Sequence, residues 1–302
     1  MTRTLLLVLV TFLSATSVCG QHPAPTVNDS LIATTDWLAK HLNDESLVLL
    51  HVGEKDEYIA GHIPRAQFIQ TSDISTPRGS GLTLELPPVD QLKATFEKLG
   101  ISNNSRIVIY FGKDWVTPTA RVFLTLDYLG LGDRTSVLDG GLPAWRAENR
   151  PITSDVVEAK KGNLTPHPNP KLIVDANWVK DNLNSSNVRI LDARASQFYT
   201  GADKGRMPRA GHIPHARNIP FSSLVEETSN KFRSPAALKD LFDQADVKPN
   251  TSVATYCHIG QQASLLYFVA RYLGYDAHVY DGSFEDWSNR AELPVEKSET
   301  KP

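Results

Sequence analysis

Cysteine is nearly absent from this sequence: of 302 residues only two are Cys, at positions 19 and 257. That excludes the disulfide frameworks that staple small exported domains. Neither sign of charge is in excess, since 31 Lys and Arg face 34 Asp and Glu for a net charge of −3. A nucleic-acid partner would favour a concentrated basic excess, so none is expected. Outside the N-terminus there is no long apolar run, and no membrane span is expected. A hydrophobic fraction of 41% with 22% charged residues is that of a globular fold, and the length allows two domains of common size.

What is present begins with a leader. Arg3, an apolar run from Leu5 to Leu13 and then small residues follow the order of a secretory signal, too short to span a bilayer. The expectation is a signal peptide over residues 1–20, cleaved after Gly20, and a periplasmic or secreted protein. A lipid anchor on Cys19 is the weaker alternative, because Val18 fits a lipobox poorly. Cleavage leaves Cys257 as the single cysteine, without an intramolecular partner. A lone thiol in an exported protein risks oxidation, so chemistry would be a reason to keep it. The plain alternative is a small buried hydrophobe.

The chain also repeats itself. "AGHIPRAQFI" (60–69) returns as "AGHIPHARNI" (210–219), and "DYLGLGDRTSVLDGGLPAW" (127–145) returns, two residues shorter, as "RYLGYDAHVYDGSFEDW" (271–287). "TTDWLAKHL" (34–42) and "DANWVKDNL" (175–183) both read as first turns of a helix carrying a tryptophan. Between the copies lies a stretch rich in Pro, Lys, Asn and Gly, the composition of an exposed, extended connector. The domains are placed at 21–157 and 171–302, with the linker at 158–170.

In each half, short apolar β-rich runs alternate with helical patterns: strands near 46–52, 106–111 and 135–140, then "VRILDA", "TSVATY" and "AHVYDG" in the second copy. Strands separated by helices imply an α/β fold with a mostly parallel sheet flanked by helices, and sites at the carboxyl ends of the strands. Cys257 stands at such an end, before the loop "HIGQQ" and a helix. Backbone N–H groups of that loop, with Gly260 easing the turn, and the N-terminus of the helix would stabilise a sulfur anion. The expected consequence is a thiol pKa lowered from about 8.5 toward neutrality.

Two tandem copies, a GHIP turn in each, a D-G-G/S…W ending and a C-x-x-G-x-x loop in the second copy only: this set resembles the tandem-domain rhodanese-type sulfurtransferases, over nearly the whole mature chain. The resemblance implies a fold of two rhodanese-like domains and a ping-pong reaction in which Cys257 takes a sulfane sulfur as a persulfide and passes it to a thiophilic acceptor such as cyanide or a thiol. It makes His258, Ile259, Gly260, Gln261 and Gln262 the loop that cradles the persulfide, and Arg194, in "LDAR", the group that meets an anionic donor; a surface ion pair with Asp192 or Asp203 is the plain reading of that arginine. His258, Gln261 and Gln262 are candidate donor-binding side chains, His258 if its pKa is raised enough to make it cationic. Lys204, Arg206 and Arg209 belong either to a positive rim of the site or to a solvated loop. Thiosulfate is the favoured donor and 3-mercaptopyruvate the alternative; no cofactor or metal is implied, and any protein acceptor is left open.

The first copy serves as an internal control. It has "YFGKDWVTPTA" where the second has "YCHIGQQAS", and "HVG" where the second has "DAR". His62, His212, Trp37, Trp145, Trp178 and Trp287 are therefore read as structural, although Trp37 matches a position that nears the site across the domain interface in relatives. A cysteine phosphatase would require an arginine at position 263, which is Ala. A persulfide carrier, or a soft-metal binder using Cys257 with His258, are the non-enzymatic alternatives.

Overall fold

A computed structural model describes residues 25–77, 79–113 and 116–298. The expected signal peptide and the Cys19 anchor lie outside them.

Each half holds a five-stranded sheet in which every pair is parallel. The first contains β1 (Ile32–Ala33), β2 (Leu47–Val52), β3 (Gln67–Ile69), β4 (Arg106–Phe111) and β5 (Thr135–Leu138), in the order β1-β5-β4-β2-β3. The second repeats this with β6 (Ile173–Val174), β7 (Val188–Asp192), β8 (Arg217–Asn218), β9 (Ser252–Tyr256) and β10 (Ala277–Tyr280), ordered β6-β10-β9-β7-β8. The central strands β4 and β9 are buried almost throughout. Their sequences show no polar alternation because helices cover both faces.

The helices are α1 (Thr35–His41), α2 (Lys55–Ala60), α3 (Val89–Lys98), α4 (Val116–Tyr128), α5 (Gly141–Ala147), α6 (Ala176–Asp181), α7 (Ser196–Thr200), α8 (Pro235–Gln244), α9 (Gln261–Tyr272) and α10 (Ser283–Asn289). The two tryptophan helices start alike: Thr34 accepts the N–H of Trp37, and Asp175 accepts that of Trp178.

The halves do not have separate cores. The outer face of each sheet has its own cluster, one around Trp145 and Tyr58, the other around Trp287 and Phe284. The inner faces share a single cluster that runs from β2 and β4 through α4 and α9 to β9. Most of α4 and α9 is buried on every side, because each helix lies between its own sheet and the other half. Phe123 meets Phe268 edge to face at 4.8 Å, and the carboxylate of Asp127 accepts hydrogen bonds from Tyr267 Oη (2.6 Å) and Arg271 Nε (3.0 Å). Burying so much apolar surface between the halves makes the interface resemble a domain interior.

The connector has no regular structure until Pro170, yet it is pinned to the first half. Gly162 N–H donates to Glu97 O (2.8 Å), Leu164 is fully buried, and His167 N–H donates to Leu129 O (3.0 Å). At the other end of the first half, Asn28 N–H donates to Tyr272 O (2.8 Å), and the backbone of Thr26 lies against Gly274.

The shared histidines and tryptophans hold turns in both halves. His62 Nδ1 pairs with Tyr58 O and His212 Nδ1 with Tyr199 O, each at 2.7 Å, while Trp145 and Trp287 donate to the carbonyls of Pro151 and Pro294, again at 2.7 Å. Trp37 lies in the outer-face cluster of the first sheet, stacked on His41 at 4.1 Å. Its side chain therefore faces away from the interface it was matched to.

Candidate active site

Cys257 follows β9 directly and is 1% exposed. Three contacts fix its backbone and that of its neighbour: Cys257 N–H donates to Ser283 Oγ (3.2 Å), Phe284 N–H to Cys257 O (3.0 Å), and Glu285 N–H to His258 O (2.9 Å). The loop is thus stitched to the first turn of α10. Gly260 has φ +90° and caps the N-terminus of α9. A Cβ there would sit 2.9 Å from Asp281 Oδ1, so the turn requires glycine for both conformation and space.

The backbone N–H groups of Ala263, Ile259, Gln262 and Gly260 all act to favour the thiolate. Three of the five residues expected to form the cradle, Ile259, Gly260 and Gln262, supply such N–H groups, and Ala263, from the first turn of α9, supplies a fourth. The expected sign of the thiol shift is reversed. Burial pushes the Cys257 thiol above its ordinary range and outweighs the amides that oppose it. The reason is a matter of packing: an anion in this enclosed place loses more hydration than the peptide dipoles return.

Arg194 is 2% exposed and lies in a buried ion pair rather than at the surface. Its Nε donates to both Asp192 oxygens (3.0 and 3.1 Å), and Nη2 donates to Asp192 Oδ2 (2.6 Å) and Gly211 O (2.8 Å). The guanidinium carbon lies 4.1 Å from the centroid of the Phe284 ring, on the residue whose N–H holds the Cys257 carbonyl. Nη1 is the nitrogen that neither Asp192 nor Gly211 takes.

His258 is lowered, not raised. Burial comes first and the Arg194 charge second, with Asp192 and Gln262 pulling the other way. It is neutral near pH 7, and its ring meets Phe198 edge to face at 4.7 Å. Gln261 Nε2 turns toward the first half and donates to Thr117 Oγ1 (3.3 Å). Gln262 Oε1 is buried with no hydrogen-bond partner among the described residues. Arg209 does not rim the site: its guanidinium donates to the carbonyls of Trp287, Ser288, Arg290 and Leu293 at 2.6 to 2.9 Å, closing the C-terminal end of α10. Lys204 and Arg206 are exposed.

Several residues near the loop carry no sequence signal read above. Ser283 and Phe284 belong to the repeated D-G-G/S…W ending, whose repetition marks structure and hides their contact with the cysteine. Asp281 and, from the first half, Arg121 underlie the Gly260 turn. Among the described residues, no group of three or more His, Cys, Asp or Glu side chains forms a metal-binding cluster, and no helix is long and apolar enough to cross a membrane.

The arrangement is a strand-to-helix loop whose cysteine sulfur is enclosed by peptide N–H groups. The chain is 30% identical to the "Sulfur carrier protein TtuD" of Thermus thermophilus, over 89% of this chain and 97% of that one. It is 28% identical to a thiosulfate sulfurtransferase of Azotobacter vinelandii and to a 3-mercaptopyruvate sulfurtransferase of Escherichia coli K12, covering 86% of this chain in both cases and 94% and 96% of the relatives. In fold it is similar to the anaerobic ergothioneine biosynthesis enzyme of Chlorobium limicola, with TM-score 0.78, 22% identity and coverage of 89% of this chain and 70% of that one. The model of the rhodanese-like domain matches twice, over residues 34–148 and 175–290, and the chain therefore belongs to the rhodanese-like family.

Proposed function

We propose that this protein is a sulfurtransferase that moves a sulfane sulfur from thiosulfate to a thiophilic acceptor through a Cys257 persulfide. The observation that carries this reading is the set of four backbone N–H groups favouring negative charge on a sulfur otherwise shut away from water. Such donors act where charge develops and need no reorganisation when it does.

In the first step the Cys257 thiol loses its proton as its sulfur attacks the outer sulfur of thiosulfate. A new S–S bond forms, the S–S bond of thiosulfate breaks, and its electron pair leaves on sulfite. In the second, cyanide or a thiolate attacks the outer persulfide sulfur, and the electron pair of the broken bond returns the Cys257 thiolate. The raised resting pKa suits this order: the site meets an anionic donor as a neutral thiol, and the amides receive charge during attack. With His258 neutral, Arg194 is the cation assigned to the donor. Gln261 and Gln262 offer uncharged hydrogen bonds.

The donor 3-mercaptopyruvate would load the same thiol by breaking a C–S bond. A carrier that keeps the persulfide for a protein acceptor is a second reading, favoured by the name of the Thermus thermophilus relative. The leader supports work outside the cytoplasm, checked by N-terminal sequencing of the protein from its host.

The test is to incubate the protein with thiosulfate or 3-mercaptopyruvate, follow its intact mass, then add cyanide and follow thiocyanate. The expected result is a gain of one sulfur atom on Cys257 from thiosulfate, discharged by cyanide. Absence of sulfur gain from either donor overturns the enzymatic reading. Loading without discharge to small acceptors selects the carrier.

A further inference from the structure

The half without cysteine reaches the loop that has one. Helix α4 and the segment before α3 make three ties to it. Thr117 accepts the Gln261 side chain at the start of α9. Thr83 donates its N–H and hydroxyl to the Glu285 carboxylate (2.7 and 3.0 Å), and Glu285 N–H holds the His258 carbonyl. Arg121, fully buried, pairs Nη1 with Asp281 Oδ1 and Nη2 with Oδ2 (3.1 Å), and donates to the carbonyl of Leu84. Asp281 and Arg121 together form the floor of the Gly260 turn: a Cβ on Gly260 would lie 2.9 Å from Asp281 Oδ1 and 3.2 Å from Arg121 Nη1.

The duplication shows that this arginine is no requirement of the fold. Aligning "DYLG" (127–130) with "RYLG" (271–274) places Arg121 opposite Leu265, and the repeated "VLDG" and "VYDG" place Asp139 opposite Asp281. Both aspartates accept a backbone N–H from the other half, Asp281 from Leu86 (3.2 Å) and Asp139 from Phe232 (2.9 Å). Leu265, however, brings no charge to Asp139, whose carboxyl is pushed up by burial. Asp139 faces the exposed Lys231 instead, so a buried, helix-borne arginine occurs on the one side of the pseudo-symmetric interface that supports a cysteine loop.

We propose that Arg121 is a positioning residue for sulfur transfer: through Asp281 it holds the Gly260 turn so that the backbone N–H groups after Cys257 stay aimed at its sulfur. The first half is then a working part of the site that contains no reacting atom. This rests on the sulfurtransferase reading for its kinetic consequence, but not for its effect on the thiol.

The charged and titratable groups that face the loop are His258 on it, Asp192 at the end of β7 and Arg194 after it, Asp203 after α7, Asp281 after β10, Glu285 on α10 and Arg121 on α4. Of these, the test changes only Arg121 and Asp281. Arg121→Met, Arg121→Lys and Asp281→Asn are compared with Asp127→Asn, which breaks a buried contact of the same interface farther along α9. For each, the pH midpoint of Cys257 alkylation by iodoacetamide is followed by intact mass, alongside thermal stability and kcat/KM for thiosulfate. Arg121→Met and Asp281→Asn should move the alkylation midpoint to higher pH and lower kcat/KM by roughly 10- to 100-fold, the scale of a slightly displaced reacting group, with Arg121→Lys partly restoring both. Asp127→Asn should cost stability and leave the midpoint in place. If all four variants keep the wild-type midpoint, or if Asp127→Asn moves it as far as Asp281→Asn does, Arg121 is an ordinary interface residue. Alkylation needs no sulfur donor, so a wild-type protein that never accepts sulfur would defeat the proposed function while this comparison still reads the role of Arg121.

Discussion

At the carboxyl ends of their central strands the two halves solve the same packing problem with different chemistry. In the second, Asp192 lies beside Tyr256 in the register of β7 and β9, and Tyr256 Oη receives the N–H of Ile213 (3.1 Å). In the first, His51 lies beside Tyr110 in β2 and β4, and Tyr110 Oη receives the N–H of Ile63, again at 3.1 Å. The tyrosine and the turn it holds are kept. What differs is the cargo: a buried ion pair and a cysteine in one half, a neutral histidine and Phe111 in the other. Phe111 is as deeply buried as Cys257, so the position needs to be filled but does not need sulfur.

The largest effect is expected from removing that difference. Cys257→Ser should abolish sulfur uptake, read by intact mass after thiosulfate, while circular dichroism and Tm stay near wild type, because the change is nearly isosteric. Residual uptake would move the nucleophile elsewhere.

Next is Arg194. Because it is paired inside the protein, Arg194→Ala strands the Asp192 carboxylate and should cost about 3–5 kcal/mol in denaturant unfolding. Loss of donor use must therefore be judged with the double variant Asp192→Asn, Arg194→Gln, which removes both charges and strands neither. If that variant has wild-type kcat/KM for thiosulfate, Arg194 has no part in donor binding.

The smaller prediction concerns the first half. Burial, helped by His62 and Arg146 and opposed by Glu57, lowers His51 from 6.5 to about 4. A base whose folded pKa is depressed contributes stability that is whole above its unfolded pKa and is lost as pH falls through the folded one. Between pH 6.5 and 4 the wild type should lose roughly 3 kcal/mol relative to His51→Gln, measured by urea unfolding across that range. A constant difference would mean that His51 is not held neutral. The second half has Asp192 there and offers no such histidine.

Much of the fold was legible because its signals are local. The runs at β2, β4, β7 and β9 are continuous and apolar, and the helices α3, α8 and α9 fall within a few residues of their pattern. The two-residue edge strands β1 and β6 were not legible, since so short a stretch has no period. At the site, Cys257 and its glycine turn follow from sequence order. The direction of the thiol shift does not, because it depends on how completely α10 and the other half exclude water. The use of Arg209 to close α10, and of Arg121 beneath the loop, likewise depends on contacts between residues far apart in the chain. A shared core was also out of reach: the sequences of α4 and α9 mark helices, but nothing in them says that the two are buried against each other.

Residues 26–29 are laid on Tyr272 and Gly274 before the chain reaches the first strand of its own sheet. As the chain is made from its N-terminus, this segment has no seat until α9, near the other end, has emerged and folded. Closure of the molecule is therefore an end-to-end event, and a nascent first half must wait with its inner face uncovered. That order makes the late-made, cysteine-bearing half the scaffold on which the early half is completed.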